Sequence, residues 1–259
     1  MMLRRCRRAV ALAGALVLCF LRYWSIRLRG PLTLERRAQW LQLASRSVLA
    51  SLGIRYQVKG PLPTRGLIVS NHLSYLDIVI CSAAMPCFFV SKVEVDRWPY
   101  FGKAARAGGT IFLDRTSHAS ANAVAAAIAE RLALPVPVLL FPEGTSTDGS
   151  KVLRFHSRLI HPATDMQAPI TAAAIRYILS GNAEERELCW YGDAGFLGHL
   201  WKVLGVLGFS AQVSFGESRV YTDARAAAVQ TRDEVAAMRG QGTPSPNKFE
   251  PETRRHDVA

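Results

Sequence analysis

Pro135-Val136-Pro137-Val138-Leu139-Leu140-Phe141 is an unbroken apolar run that turns directly into Pro142-Glu143-Gly144-Thr145. A strand with one solvated face alternates apolar and polar residues. A continuous apolar run of strand length instead belongs to a sheet covered by helices on both faces. The flanking sequence supplies those helices. Ser117–Ala133 is an Ala-rich helical segment, Pro169–Tyr177 and Phe209–Phe215 read as strands, and Asp223–Arg239 reads as a last helix. Upstream, Leu34, Ala38, Leu41, Ala44, Val48 and Leu52 recur at helical spacing, with Thr33 as an N-cap for a helix over Thr33–Ser51. Ile54–Lys59 and Leu67–Ser70 are short strands around the Gly60-Pro61-Leu62-Pro63 turn. Ser74–Ala84 fits a helix, and Cys87–Ser91 and Gly109–Leu113 fit strands. Alternating strands and helices predict an α/β fold with a mixed, largely buried sheet flanked by helices.

The charge lies to one side of this pattern. The chain has 259 residues and a net charge of +12. Residues 1–60 hold twelve Lys/Arg and one acid, Glu35, whereas residues 61–259 hold twenty Lys/Arg and nineteen acids. The basic quarter is also the most apolar. Ala9–Leu21 carries no charge and stands between Arg4, Arg5, Arg7 and Arg8 on one side and Arg22, Arg27 and Arg29 on the other. Nucleic-acid binders place cations on a polar face, not around an apolar helix, so this distribution points to anionic lipid headgroups and away from nucleic acid. No small-x-small cleavage site follows, which disfavours a removable signal peptide. The apolar run covers about 20 Å as helix, short of the roughly 30 Å hydrocarbon core. The expectation is an uncleaved anchor, half-inserted or marginally spanning.

Three divisions follow: residues 1–52 as a basic apolar anchor with an amphipathic helix, 53–239 as the main domain, and 240–259, with three prolines and scattered charge, as a disordered tail. The five cysteines are odd in number and lack C-x-x-C spacing, so reduced thiols are expected instead of a disulfide framework or zinc site. His156 and His161 have no third ligand nearby, and no metal is expected. Cys189 has no adjacent His/Asp partner to make it a nucleophile. Phe196–Phe209 is apolar enough for core, for an acyl-chain lining or for lipid contact.

Three polar turns carry candidate chemistry. In Asn71-His72-Leu73-Ser74-Tyr75-Leu76-Asp77, His72 and Asp77 are about 140° apart on a helical wheel. They meet only if His72 lies in the turn before the helix and Asp77 in its first turn. Ser74-x-x-Asp77 is a capping-box pattern that allows this, and it also allows Asp77 to be a cap and nothing more. Gly108–Leu113 delivers Arg115 at the end of a strand, fit for bidentate hold on phosphate or carboxylate, or for a surface ion pair. Glu143-Gly144-Thr145 is a turn in which glycine permits close backbone approach to a ligand.

In order and spacing together, N-H-x-S-x-x-D, G-T-I-F-L-D-R and F-P-E-G-T resemble the lysophospholipid (glycerolipid) acyltransferase family, over roughly Gly53 to Tyr177. Lys92-Val93-Glu94, Trp98–Gly102 and Ala168-Pro169-Ile170 extend the likeness. The resemblance implies acyl transfer from an acyl carrier protein or coenzyme A thioester to a lysolipid hydroxyl. It implies no cofactor and no covalent enzyme intermediate; the anchor and the reduced thiols place the expectation at the cytoplasmic face of the membrane. It maps a catalytic pair onto His72 and Asp77, and substrate binding onto Arg115, Glu143, Gly144 and Thr145. An imidazole would take the hydroxyl proton while the carboxylate fixes its tautomer. Glu143 would meet a hydroxyl or a cation, since phosphate would repel it. Backbone N–H groups at the start of the Ser74 helix are candidates for the thioester oxyanion. The family implies 1-acylglycerol-3-phosphate as the default acceptor.

One departure bears on that acceptor. The family pattern often continues F-P-E-G-T-R-S, and here Ser146 stands where the arginine would be. Lys151, Arg154 or Arg158 could compensate. Cys189–Asp193 with His199-Leu200-Trp201 resembles a bacterial subgroup that includes lyso-ornithine lipid acyltransferases, which makes lyso-ornithine lipid the second acceptor. A thioesterase using the same base on water, and a catalytically silent lipid-binding protein, are the other classes.

Overall fold

The computed structural model describes residues 1–98, 100–114, 118–179, 183–206 and 208–241, with side chains 118–121 left aside. Arg115, Ser117 and all but the first two residues of the expected tail therefore lie outside the described residues. Two helices open the chain, α1 (Met2–Leu28) and α2 (Leu34–Leu52). The Thr33 hydroxyl accepts from Arg36 N at 3.4 Å to start α2, and Gly53, at φ 69°, closes it in the left-handed region. Then follow β1 (Arg55–Lys59), β2 (Leu67–Ser70), α3 (Leu76–Ala84), β3 (Phe88–Lys92), α4 (Val93–Asp96), α5 (Phe101–Gly108) and β4 (Ile111–Leu113). The chain continues through α6 (His118–Leu132), β5 (Val138–Leu140), α7 (His161–Asp165), β6 (Ile170–Leu179), α8 (Phe196–Gly205), β7 (Phe209–Phe215) and α9 (Ala224–Met238).

The strands form one seven-stranded sheet in the order β1-β7-β6-β2-β5-β3-β4. All neighbours are parallel except β6 and β7, so the sheet is mixed, as expected. Residue alternation along each central strand feeds two cores. Ile68, Leu139 and Ile175 pack towards α1, α2, α3 and α8. Leu67, Val138 and Ala174 pack towards α6, α7 and α9. Both faces are dry, which is why β2 and β5 need apolar residues at every position.

The deciding run is shorter as a strand than its sequence implies. Pro135 and Val136 lie in a turn, and pairing covers only Val138–Leu140. Proline has no N–H for a ladder, although Pro137 O still accepts from Phe88 N at 2.9 Å. Gly109 is likewise not strand: its left-handed φ of 89° ends α5, a short helix that precedes β4. The apolar stretch from Phe196 resolves into α8 and the start of β7.

Helix α1 runs well past the uncharged segment, to 27 residues or about 40 Å. It is long and apolar enough to cross a membrane. It lies along α2 and α8: Trp40 Nε1 donates to Cys19 O at 3.0 Å, and Tyr23 meets the Trp40 ring edge-on. Two of its cations face the protein. Arg8 donates to the carbonyls of Leu204 and Val206, capping α8, and the Arg5 guanidinium sits 5.4 Å from the Trp201 ring centre. The expectation that this arginine cluster serves lipid is therefore corrected for Arg5 and Arg8, which are structural. The opposite side of α1 presents Leu3, Val10, Val17, Leu21, Trp24 and Leu28, all exposed and on one helical face.

Candidate active site

From β2 the chain crosses through α3 to β3, and from β5 it returns through α7 to β6 on the other side of the sheet. Connections that leave neighbouring strands in opposite directions open a crevice at the strands' carboxyl ends. His72 enters that crevice from the end of β2, and Phe141–Ser146 from the end of β5. Asn71 makes the exit from β2 rigid. Its side chain donates to Ile175 O at 3.2 Å and accepts from Ile175 N at 2.8 Å, continuing the ladder with β6 in place of backbone.

His72 and Asp77 meet: Nδ1 lies 2.8 Å from Asp77 Oδ2. The same oxygen accepts from Leu73 N at 2.7 Å and Ser74 N at 3.0 Å. Pairing and capping are thus one arrangement, and Asp77 does both. Its other oxygen accepts from the Tyr177 hydroxyl, which arrives on β6 from 100 residues away. Burial, together with the nearby Asp77 charge, pushes the Tyr177 hydroxyl well above its ordinary range and keeps it a donor. With Asp77 fully buried and accepting on both oxygens, the imidazole donates through Nδ1–H and leaves Nε2 bare. The ring stacks on Phe141 at 4.1 Å and keeps 19% of its side chain exposed towards the crevice.

At the helix start, four backbone N–H groups are already taken and are not free to hold an oxyanion. Leu73 N and Ser74 N go to Asp77, Leu76 N goes to Ser74 Oγ at 3.3 Å, and Asp77 N goes to Ser74 O. Glu143 also turns inward. Its oxygens accept from His72 N at 2.7 Å and Leu153 N at 2.8 Å, so it ties the two turns together beneath the crevice. The members of its turn that line the crevice are Gly144, Thr145 and Ser146, with Gly144 at φ 75°, where a side chain would be strained.

Burial pushes Glu143 up to about 7, against the pull of its two N–H donors. The folded state therefore holds this proton more tightly than the unfolded chain, whose carboxyl titrates at 4.5. The sign follows: Glu143's contribution is fully present below 4.5 and is lost as pH rises through about 7. The span amounts to an order of 3 kcal/mol. Melting temperatures should fall over that window for the native protein and stay flatter for Glu143→Gln. Parallel curves would contradict it.

The crevice encloses about 400 Å³. Ser146 Oγ donates to Trp190 O, and Trp190 N donates to Leu73 O at 2.8 Å, so the loop after β6 is docked over the His72 turn. Trp190 joins Tyr75, Trp98 and Phe196 in an aromatic wall. His199 supports it from α8, with Nδ1 3.0 Å from the Tyr75 hydroxyl. Tyr75, Ile78, Val95 and Trp98 are shared with an adjoining apolar pocket between α1, α2 and α5, of about 100 Å³. Among the described charged residues, Lys92 and Glu94 line the crevice, whereas Lys151, Arg154 and Arg158 do not. Cys189 is buried, and its thiol is pushed up by desolvation, unlike an activated nucleophile.

Fold and site together define an α/β domain with a His–Asp pair at the carboxyl ends of its central strands. A family model described as Acyltransferase matches residues 53–176. The lyso-ornithine lipid O-acyltransferase of Rhodobacter capsulatus is 39% identical over 166 residues, which is 62% of this chain and 60% of that protein. The 1-acyl-sn-glycerol-3-phosphate acyltransferase of Neisseria meningitidis is 33% identical over 174 residues, 66% of this chain and 68% of its own length. The chain thus spans about 60–68% of the length of these relatives. The crystal structure of the 1-acyl-sn-glycerophosphate acyltransferase from Thermotoga maritima superposes with a TM-score of 0.67, covering 93% of this chain and 95% of that one. At 16% identity that likeness speaks for the fold. The chain belongs to the acyltransferase family.

Proposed function

We propose that the protein is a membrane-surface O-acyltransferase that moves a fatty acyl group from an acyl carrier protein or coenzyme A thioester to the free hydroxyl of a lysolipid. The observation that carries this reading is the bare Nε2 of His72 at the crevice, with Nδ1 held by Asp77. Nε2 takes the hydroxyl proton as the oxygen attacks the thioester carbon. The C–O bond forms, the C–S bond breaks, and the imidazolium returns the proton to the departing thiolate. Asp77 balances the transient positive charge. The aromatic wall and the adjoining apolar pocket suit an acyl chain. A thioesterase would use the same base on water. Thiol release that requires added lysolipid favours the transferase, and equal release without it would refute the proposal.

Ser146 bears on the acceptor. Its hydroxyl serves the Trp190 loop, and the described charges lining the crevice, Lys92 and Glu94, are of opposite sign. That pairing suits a zwitterionic headgroup better than a phosphate monoester. We therefore favour a lyso-ornithine type of acceptor over 1-acylglycerol-3-phosphate. Turnover with lyso-ornithine lipid should exceed that with lysophosphatidic acid, and Ser146→Arg should narrow the gap. A native preference for lysophosphatidic acid would reverse the assignment.

Residues 1–52 serve as the membrane-binding part of this proposal and residues 53–239 as the acyltransferase domain. The exposed stripe on α1 would enter the bilayer, with Arg7, Arg22 and Arg29 exposed at its flank for anionic headgroups. A Val17→Asp/Leu21→Asp protein should keep its melting temperature, since both positions are exposed, and pellet less with anionic liposomes. Undiminished pelleting would contradict this role for the stripe.

A further inference from the structure

On the sheet face away from α1, a groove of about 480 Å³ runs between α9 and the short turn Ser157–Leu159. Arg154, His156, Arg158 and Arg225 line it and are exposed, and the half-buried Arg232 lines its floor. The acid in its wall, Asp233, is already paired with Arg232 at 2.8 Å. The rest of the domain makes this concentration unusual, because residues 61–259 hold twenty Lys/Arg against nineteen acids. The groove also adjoins the crevice. Leu159 lines the crevice wall, His156 N donates to Pro142 O at 2.9 Å, and Leu153 N holds Glu143. One strip of backbone therefore has the candidate site on one side and the guanidinium groups on the other.

We infer that this groove docks the body of an acidic acyl carrier protein while its thioester arm reaches the crevice around the Ser157–Leu159 turn. The inference rests on the acyl-transfer reading above. A carrier protein presents carboxylates along a helix, and spaced guanidinium groups on an open surface complement such a row. The exposed Val229 adds an apolar contact at the groove wall. Coenzyme A suits the groove less well: its adenine would need a ring to stack on, and the aromatic lining residue, Phe155, is buried in the core. The placement fits the supply route as well. Lipid would approach at α1, and a water-borne donor at the opposite face of the sheet.

The test uses the full chain in nanodiscs with a fluorophore-labelled type II holo-acyl carrier protein. Native protein should bind it, more weakly as salt rises. Arg154→Glu/Arg225→Glu should bind about tenfold more weakly or worse, the scale expected for losing electrostatic steering. The Arg154→Lys/Arg225→Lys protein should bind within about threefold of native. In turnover, the Glu pair should raise KM for a palmitoyl-carrier-protein donor by a similar factor and leave palmitoyl-coenzyme A rates within about twofold. The coenzyme A rate doubles as the folding control, and Arg225→Gln, a single exposed change on α9, provides a milder variant. Absence of carrier binding, binding unaffected by the Glu pair, or equal loss with both donors would overturn the inference. Salt-sensitive carrier binding that the Glu pair abolishes, without acyl transfer to any lysolipid, would uphold the surface and overturn the reaction instead.

Discussion

A His72→Ala protein is expected to fold and to lose about 10²–10⁴-fold in kcat, the usual contribution of a positioned acid–base group. The imidazole is partly exposed and stacks on a single ring, Phe141, so removing it opens no large cavity. Its backbone N–H, which Glu143 holds, survives the substitution. The loss should therefore appear in turnover and not in the melt. Initial rates of acyl transfer, measured beside a thermal melt, check both. A folded variant with native turnover would remove His72 from the chemistry.

Asp77→Asn is the more discriminating change. An asparagine can keep its oxygen towards His72 Nδ1, Leu73 N and Ser74 N and turn its amide towards Tyr177, whose hydroxyl can accept instead of donate. The local cost should stay near 1 kcal/mol, as for a helix cap. The negative charge is lost, however, and with it the balance for the imidazolium, so kcat should still fall by about 10²-fold or more. If Asp77 acted only as a cap, stability would fall slightly and turnover would be near native. One variant, assayed for rate and melting together, separates the two.

The architecture was legible where local sequence decides it. Val138-Leu139-Leu140 and Leu67-Ile68-Val69 are buried on both faces, so their patterns announce a covered sheet. The His72–Asp77 pair was legible because one continuous stretch of six residues holds both members. What escaped depends on contacts between distant segments. Tyr177 reads as an ordinary strand residue until β6 pairs with β2 and brings its hydroxyl to Asp77. Asn71 gave a clue, as a polar residue at the end of an apolar strand, but the ladder it extends lies 104 residues on. The family resemblance marks Glu143 as a substrate-binding residue, and only the fold shows both of its oxygens accepting from backbone N–H groups. Arg5 and Arg8 were indistinguishable in sequence from their neighbours; α8 recruits them. Arg115 remains an expectation from sequence alone.

On the proposed function, a lysolipid hydroxyl, and not water, receives the acyl group under the control of His72. Mass spectrometry of the lipid products tests it most directly, with native and His72→Ala proteins each offered an acyl thioester and a panel of lysolipids. The native protein should give an ester-linked diacyl product, most abundant with lyso-ornithine lipid and nearly absent with the variant. Free fatty acid with no acylated lipid, or equal product from both proteins, would contradict it.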